Sequence, residues 1–500
     1  MINQVISDLI EYAKIHLGLP KADEEYATNL LMTKFALNEI KPCWVNKKKI
    51  AEMASPDELL AEVKEYALNN GLIEEGEEEF FTSDVLDMLS PRPSAVVEKF
   101  NELHEKSPAA AFDMLYDLGV KNDYVKASAI AKNEYWKTST TRIPIEITEI
   151  TINLSKPEKN NKLTAKLRNV SAGYPKCMLC KENVGYVGQG RTRRNMRVIP
   201  LRLAEEDWFW QFSPYAYFYQ HGIAINRKHT PMALTEKTTR KLLDFVDYAP
   251  DYCIGSNAPL PIVGGSILAH EHFQGGKHVF PMFLCDKGEE ICKTENGVSV
   301  YLPDWYNSVI LLEGADKNAL CDTAAGILNT WLDYSDESVG IIAKTDAPHN
   351  TLSPIARKTE NGYQVYLLLR NNRCDETHPD GIFHAHKEYH NIKSESIGLI
   401  EAMGRFILPG RLHRQLKEVR KFLTGENTEI GEDMKIHAGM IRILTEKYGT
   451  ENSENEAERL VTTYVENVCE NILDNTAVFK HDEQGKAAFG RFLKACGLTK

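Results

Sequence analysis

Apolar residues recur at helical spacing at both ends of the chain and alternate with polar ones through its middle. Ile2, Val5, Ile6, Leu9, Ile10 and Ala13 form one helical stripe, and Leu59, Leu60, Val63, Tyr66 and Ala67 another that ends near Asn69-Asn70-Gly71. Ser83 reads as the cap of a helix running to Leu89, stopped by Pro91 and Pro93. Further helices fit 94–105 and 109–118, the second closed by Gly119. The acidic run Glu74-Glu75-Gly76-Glu77-Glu78-Glu79 reads as a solvated loop.

The pattern changes near Trp136. Residues 142–152 alternate apolar and polar with β-branched side chains, as a half-buried strand does. Val198-Ile199-Pro200-Leu201 opens a strand, the aromatic run 212–219 is strand-like, and Gly222-Ile223-Ala224-Ile225 is a strand. Residues 235–248 form an amphipathic helix. A strand carrying His270 and His272 follows, with 279–283 as its expected partner. A second mixed segment holds strands at 298–302, 308–312 and 363–370, a helix over 319–334, and a second His-x-His at His384 and His386. The loose repetition of strands, helix and His-x-His suggests a duplicated module. From 411 to 500 helical periodicity returns, as in Leu412, Leu416, Val419, Phe422 and Leu423.

Composition narrows the class. With 43% hydrophobic residues in 500, the chain can bury sizeable cores. A net charge of -12 argues against a protein that coats nucleic acid. No apolar run is long enough for a membrane span, and the N-terminus lacks a signal-peptide pattern. Ten scattered cysteines fit a reducing cytoplasm.

The candidate chemistry centres on 264–276, Gly-Gly-Ser-Ile-Leu-Ala-His-Glu-His-Phe-Gln-Gly-Gly. On a strand, His270, His272 and Gln274 share one face, and the glycines let backbone approach a ligand. Set against two satisfied histidines on a buried strand, this pattern favours an anion held over a reactive imidazole. His272 is the candidate nucleophile, because a neutral imidazole with one nitrogen tied to a carbonyl can attack phosphorus. Gln274 can donate to a phosphate oxygen but cannot carry a proton, which tilts the reading from hydrolysis toward transfer. Cys177-x-x-Cys180 has the spacing of two zinc ligands, with His229 and His270 as candidate partners. A redox pair and unligated cysteines are the alternatives. Arg191, Arg193, Arg194 and Arg197 could neutralise a diphosphate or form a solvated basic loop.

The motif at 264–276 resembles that of the galactose-1-phosphate uridylyltransferases, most closely their class II branch. So do Arg197-Val198-Ile199-Pro200-Leu201-Arg202, Asn226-Arg227-Lys228-His229-Thr230-Pro231, and His378-Pro379-Asp380-Gly381-Ile382-Phe383-His384-Ala385-His386. The wider resemblance is to the histidine-triad superfamily. It covers roughly 140–400 and implies an α+β fold of two related half-barrels; with the helical periodicity at both ends the expected organisation is a helical extension over 1–135, a first module over 136–296, a second over 297–410 and a helical region over 411–500. The implied reaction moves UMP from UDP-glucose to galactose 1-phosphate by double displacement. His272 would carry the uridylyl group and Gln274 would hold its phosphate. Asn257 and Ser266 would contact the nucleotide, with Arg197 as a further substrate contact. Zinc would sit on Cys177, Cys180, His229 and His270. His349, His384 and His386 resemble residues that hold a second metal in some class I members. Glu271 departs from class I, which has proline there. The expected partners are UDP-sugars and hexose 1-phosphates, with no nucleic acid and no membrane; a homodimer is left open. The rival readings are a nucleotide phosphohydrolase or phosphorylase on the same fold, and a nucleotide-sugar binding module without turnover.

Overall fold

The computed structural model describes residues 2–41, 43–138, 148–155, 173–188, 193–265 and 267–499. They form two compact units. The first comprises Met1–Lys132, Ser155–Thr230 and His270–Lys277; the second comprises Asn133–Leu154, Pro231–Ala269 and His278–Lys500. The stretch 136–296 thus supplies residues to both. Each unit combines helices with mainly antiparallel sheet, an α+β arrangement in which neither sheet closes into a barrel.

In the first unit the N-terminal stripe forms the helix Ile2–Tyr12, with Val5, Ile6 and Leu9 fully buried. The helix expected from Ser83 begins earlier, spanning Glu78–Leu89. Glu78 and Glu79 occupy its first turn, where carboxylates complement the helix dipole, so part of the acidic run is helix rather than loop. Ser83 is not a cap; it lies inside the helix and donates to Asn195 Oδ1 at 2.9 Å. Pro108–Lys121 is capped by the Ser107 hydroxyl, which accepts from Ala110 N. That helix runs past Gly119, whose missing side chain leaves room for Val125: a Cβ there would lie 3.1 Å from Val125 Cγ2.

The sheet of this unit holds Ile199–Leu203, Glu206–Phe212, Gly222–Asn226 and His272–Gly276, antiparallel in that order. Trp208 stacks on Phe273 in its core with ring centroids 4.7 Å apart. The aromatic run 212–219 leaves this sheet after Phe212. Pro214 has no N–H for a ladder, and the chain loops back so that Ser213 N donates to His221 O at 2.8 Å.

The second unit contains a six-stranded antiparallel arrangement ordered Cys253–Gly255, Asn350–Thr359, Gly362–Asn371, Val309–Gly314, Ser299–Tyr301 and Glu290–Lys293. The helices Glu236–Tyr248 and Lys317–Asp333 belong to the same unit. A smaller sheet joins Glu134–Lys137, Glu149–Asn153 and Arg405–Pro409, its last pair parallel. The expected strand at 279–283 is instead a 3₁₀ turn, Pro281–Phe283, because Pro281 favours a turn opening and Phe283 N bonds back to Phe280 O. The earlier half of the strand expected over 142–152 lies outside the described residues. Four helices, Arg411–Leu423, Ala438–Tyr448, Glu454–Thr476 and Glu483–Ala495, carry the C-terminal periodicity. No helix among the described residues is long and apolar enough to cross a membrane.

Candidate functional site

The strand carrying the central motif starts at His272, not His270. Ile225 pairs with His272 and Ile223 with Gln274, while Asn226 N bonds to Glu271 O just before the strand. His270 therefore sits in a bend that turns toward the segment after Gly222–Asn226. Asn226 Nδ2 donates to Glu271 Oε2 at 2.7 Å, and Glu271 N donates to Thr230 O, so Glu271 ties the 226–230 segment to the motif.

That bend brings four side chains together. Cys177, Cys180, His229 and His270 place their donor atoms within 4.8 Å of one another. The thiol sulfurs are 3.6 Å apart; Cys177 Sγ is 3.3 Å from His270 Nδ1, Cys180 Sγ 3.3 Å from His229 Nδ1 and 3.8 Å from His270 Nδ1. Tetrahedral zinc with bonds of about 2.3 Å to sulfur and about 2.0 Å to nitrogen implies donor separations of about 3.3–3.8 Å, and these four distances lie in that range, so the donor set fits the ion. The other ring nitrogen of His270, Nε2, donates to Asn226 O at 2.8 Å, which leaves Nδ1 as the atom that could coordinate a metal. Burial pushes the Cys180 thiol up to about 11; a hydrogen bond from the Cys177 backbone opposes the rise and the Cys177 side chain adds to it, a setting in which a bound cation would favour the thiolate.

His272 is buried at 6% exposure, and its Nδ1–H donates to His270 O at 2.7 Å. This fixes the tautomer and leaves Nε2 with the lone pair. Burial lowers its pKa from the ordinary value, against the opposing effect of the His270 carbonyl. Gln274 is half-buried, and its Oε1 lies 3.1 Å from His221 Nε2. His221 did not stand out in the sequence: a single histidine among tyrosines has no spacing relation to the motif. The available signal was its position one residue before a strand that pairs with the motif strand.

Arg197 is 7% exposed and committed to protein: Nε donates to Pro91 O at 2.8 Å, and Nη1 to Asp87 Oδ1 and Met196 O at 3.0 Å each. Arg194 pairs with Asp84 and Asp87. These two arginines brace the Glu78–Leu89 helix. Arg191 lies outside the described residues, as does Ser266. Asn257 belongs to the second unit; its Oδ1 accepts from Leu399 N at 3.0 Å, and its buried Nδ2 has no hydrogen-bond partner. His349, His384 and His386 form no metal group among the described residues. His349 bonds Thr345 and Asn372, His384 Nε2 accepts from Ile397 N, and His386 Nε2 donates to Ile382 O.

Comparison with known proteins adds a separate line of observation. Residues 30–231 match the model described as galactose-1-phosphate uridyl transferase, N-terminal domain, and residues 244–437 match its C-terminal domain. A galactose-1-phosphate uridylyltransferase of Caldanaerobacter subterraneus subsp. tengcongensis is 42% identical over 99% of this chain and 98% of its own. Galactose-1-phosphate uridylyltransferase 1 of Streptococcus pneumoniae is 42% identical over 92% and 96% respectively. A crystal structure of yeast Ap4A phosphorylase aligns over 59% of this chain and 88% of its own at 12% identity with a TM-score of 0.32, too distant to bear on the site.

Proposed function

The chain belongs to the galactose-1-phosphate uridylyltransferase family, and from that premise we propose how its residues share the reaction. The enzyme moves UMP from UDP-glucose to galactose 1-phosphate, giving UDP-galactose and glucose 1-phosphate. His272 Nε2 attacks the α-phosphorus of UDP-glucose. A P–N bond forms, the bond to the phosphate oxygen of glucose 1-phosphate breaks, and that oxygen leaves with the electron pair. A phosphate oxygen of galactose 1-phosphate then attacks the same phosphorus; the P–N bond breaks and the imidazole is restored. The leaving phosphate needs little acid assistance, its second pKa being about 6, so a non-titrating Gln274 suffices beside it. Its amide donates to a non-bridging oxygen of the transferred group.

The observation that carries this reading is the Nδ1–H bond from His272 to His270 O, which aims the basic nitrogen away from the backbone. Asn257 and Ser266 are proposed nucleotide contacts on the strength of the family resemblance. Zinc held by Cys177, Cys180, His229 and His270 would be structural, pinning the segment that presents His272. Free cysteines and phosphorylated substrates fit work in the cytoplasm.

Incubation with UDP-glucose labelled at the α-phosphate tests the mechanism. The protein should acquire an acid-labile, base-stable label that galactose 1-phosphate discharges as UDP-galactose, and His272→Ala should acquire none. Label that stays wholly in small molecules while turnover proceeds would sink the covalent step.

A further inference from the structure

Resting on that assignment of Gln274, we propose that His221 is the positioning residue that decides which end of the Gln274 amide faces the transferred phosphoryl group. An amide side chain offers a donor and an acceptor that are nearly equal in shape. Facing a phosphoryl oxygen, the NH₂ end attracts and the carbonyl end repels. Something must choose between them, and the surroundings of His221 do so.

His221 is 2% exposed. Its Nδ1 accepts a hydrogen bond from Tyr217 N at 3.4 Å. A backbone N–H can only donate, so Nδ1 carries the lone pair and the ring proton resides on Nε2. Nε2–H then donates to Gln274 Oε1 at 3.1 Å, and Gln274 Nε2 is the atom turned away from His221. The chain of polarity runs from a fixed backbone donor, through one imidazole, to the amide.

The ring is held rigidly enough to make this choice. The loop folds back through Ser213 N to His221 O at 2.8 Å and His221 N to Phe218 O at 3.1 Å. Tyr217 stacks on the imidazole with centroids 5.2 Å apart, and Phe218 lies against it at 4.6 Å. A glycine allows the loop to sit this close to the motif strand. A Cβ on Gly276 would lie 2.6 Å from Gln220 O and 2.7 Å from Phe218 Cε2. Gly276, two residues after Gln274, thus admits the backbone of the 217–221 loop.

The test compares His221→Phe, which keeps the ring volume but donates nothing, with His221→Gln, whose amide NH₂ reaches the position of Nε2. Uridylylation of His272 is followed from labelled UDP-glucose. His221→Phe should lower the single-turnover rate roughly ten- to a hundredfold, with little change in the KM for UDP-glucose, and His221→Gln should recover most of the rate. In a Gln274→Ala background His221→Phe should cause no further fall, since its only route to the reaction is removed. Equal multiplicative losses with and without Gln274, or failure of His221→Gln to restore the rate in a folded protein, would overturn the proposal. Nitrogen spectra of histidine-labelled protein give a readout free of any folding defect: the His221 signal should show the proton on Nε2, and a proton on Nδ1 would overturn it. Absence of any label on His272 in the unsubstituted protein overturns the parent reading and this one with it, whereas a labelled parent and an unaffected His221→Phe overturn this one alone.

Discussion

At the scale of the residue, the site depends on which of two ring nitrogens is occupied. His270 commits Nε2 to the Asn226 carbonyl and offers Nδ1 to the cysteines, while His272 commits Nδ1 to the His270 carbonyl and offers Nε2. Two histidines separated by one residue therefore leave opposite ring nitrogens free. If zinc is held as proposed, Cys180→Ser should lower it from about one per chain to a small fraction and bring the melting temperature down, as read by elemental analysis and calorimetry. Full metal content in that variant would remove Cys180 from the ligand set. The Cys-x-x-Cys pair was legible from spacing alone because both ligands lie on one short loop. His229 and His270 could be named as candidates, but their convergence depends on a bend at residues 270–271 that an alternating pattern had hidden inside a strand. The Arg197–Asp87 pair is the opposite case, since the acidic partner is remote in sequence and no spacing announces it.

At the scale of the element, the motif strand is short, and its glycines fit it against neighbouring backbone. Gly276→Ala should destabilise the protein by about 1–3 kcal/mol, because the new methyl group must displace Gln220 O, a backbone atom that cannot swing aside. Urea unfolding measures this, and an unchanged midpoint would show the loop to be freer than its packing implies. Periodicity located most helices, since a stripe such as Val5, Ile6 and Leu9 is a local property. It failed where a strand is interrupted by the residue that usually ends one. Asn350–Thr359 contains Pro354 in mid-strand, yet Pro354 O still accepts from Ser256 N. Only the partner strands disclose that this position can do without an N–H.

At the scale of the whole molecule, remote parts of the chain meet through buried charge. Glu149 accepts from Arg405 Nη1 and lies 2.9 Å from His278 Nε2, all within the second unit. Burial alone would raise this carboxyl, but the bond and charge of His278 together with the Arg405 guanidinium outweigh it and bring the pKa from 4.5 down to about 2. A carboxyl depressed on folding adds stability that is complete above its unfolded value and is lost as pH falls toward its folded one. Stability should therefore decline between about pH 5 and pH 2, and Glu149→Gln should flatten part of that decline while lowering stability at pH 7. Parallel curves for the two proteins across this window would count against the ion pair as a source of acid sensitivity.

The four sulfur and nitrogen donors also set an order of events during synthesis. Cys177 and Cys180 leave the ribosome first, His229 later, and His270 last of all. Until His270 emerges, a nascent chain offers at most three of the four donors. Since the proposed nucleophile His272 lies two residues beyond the last of them, the chain can complete the four-donor group only as it is completing the motif.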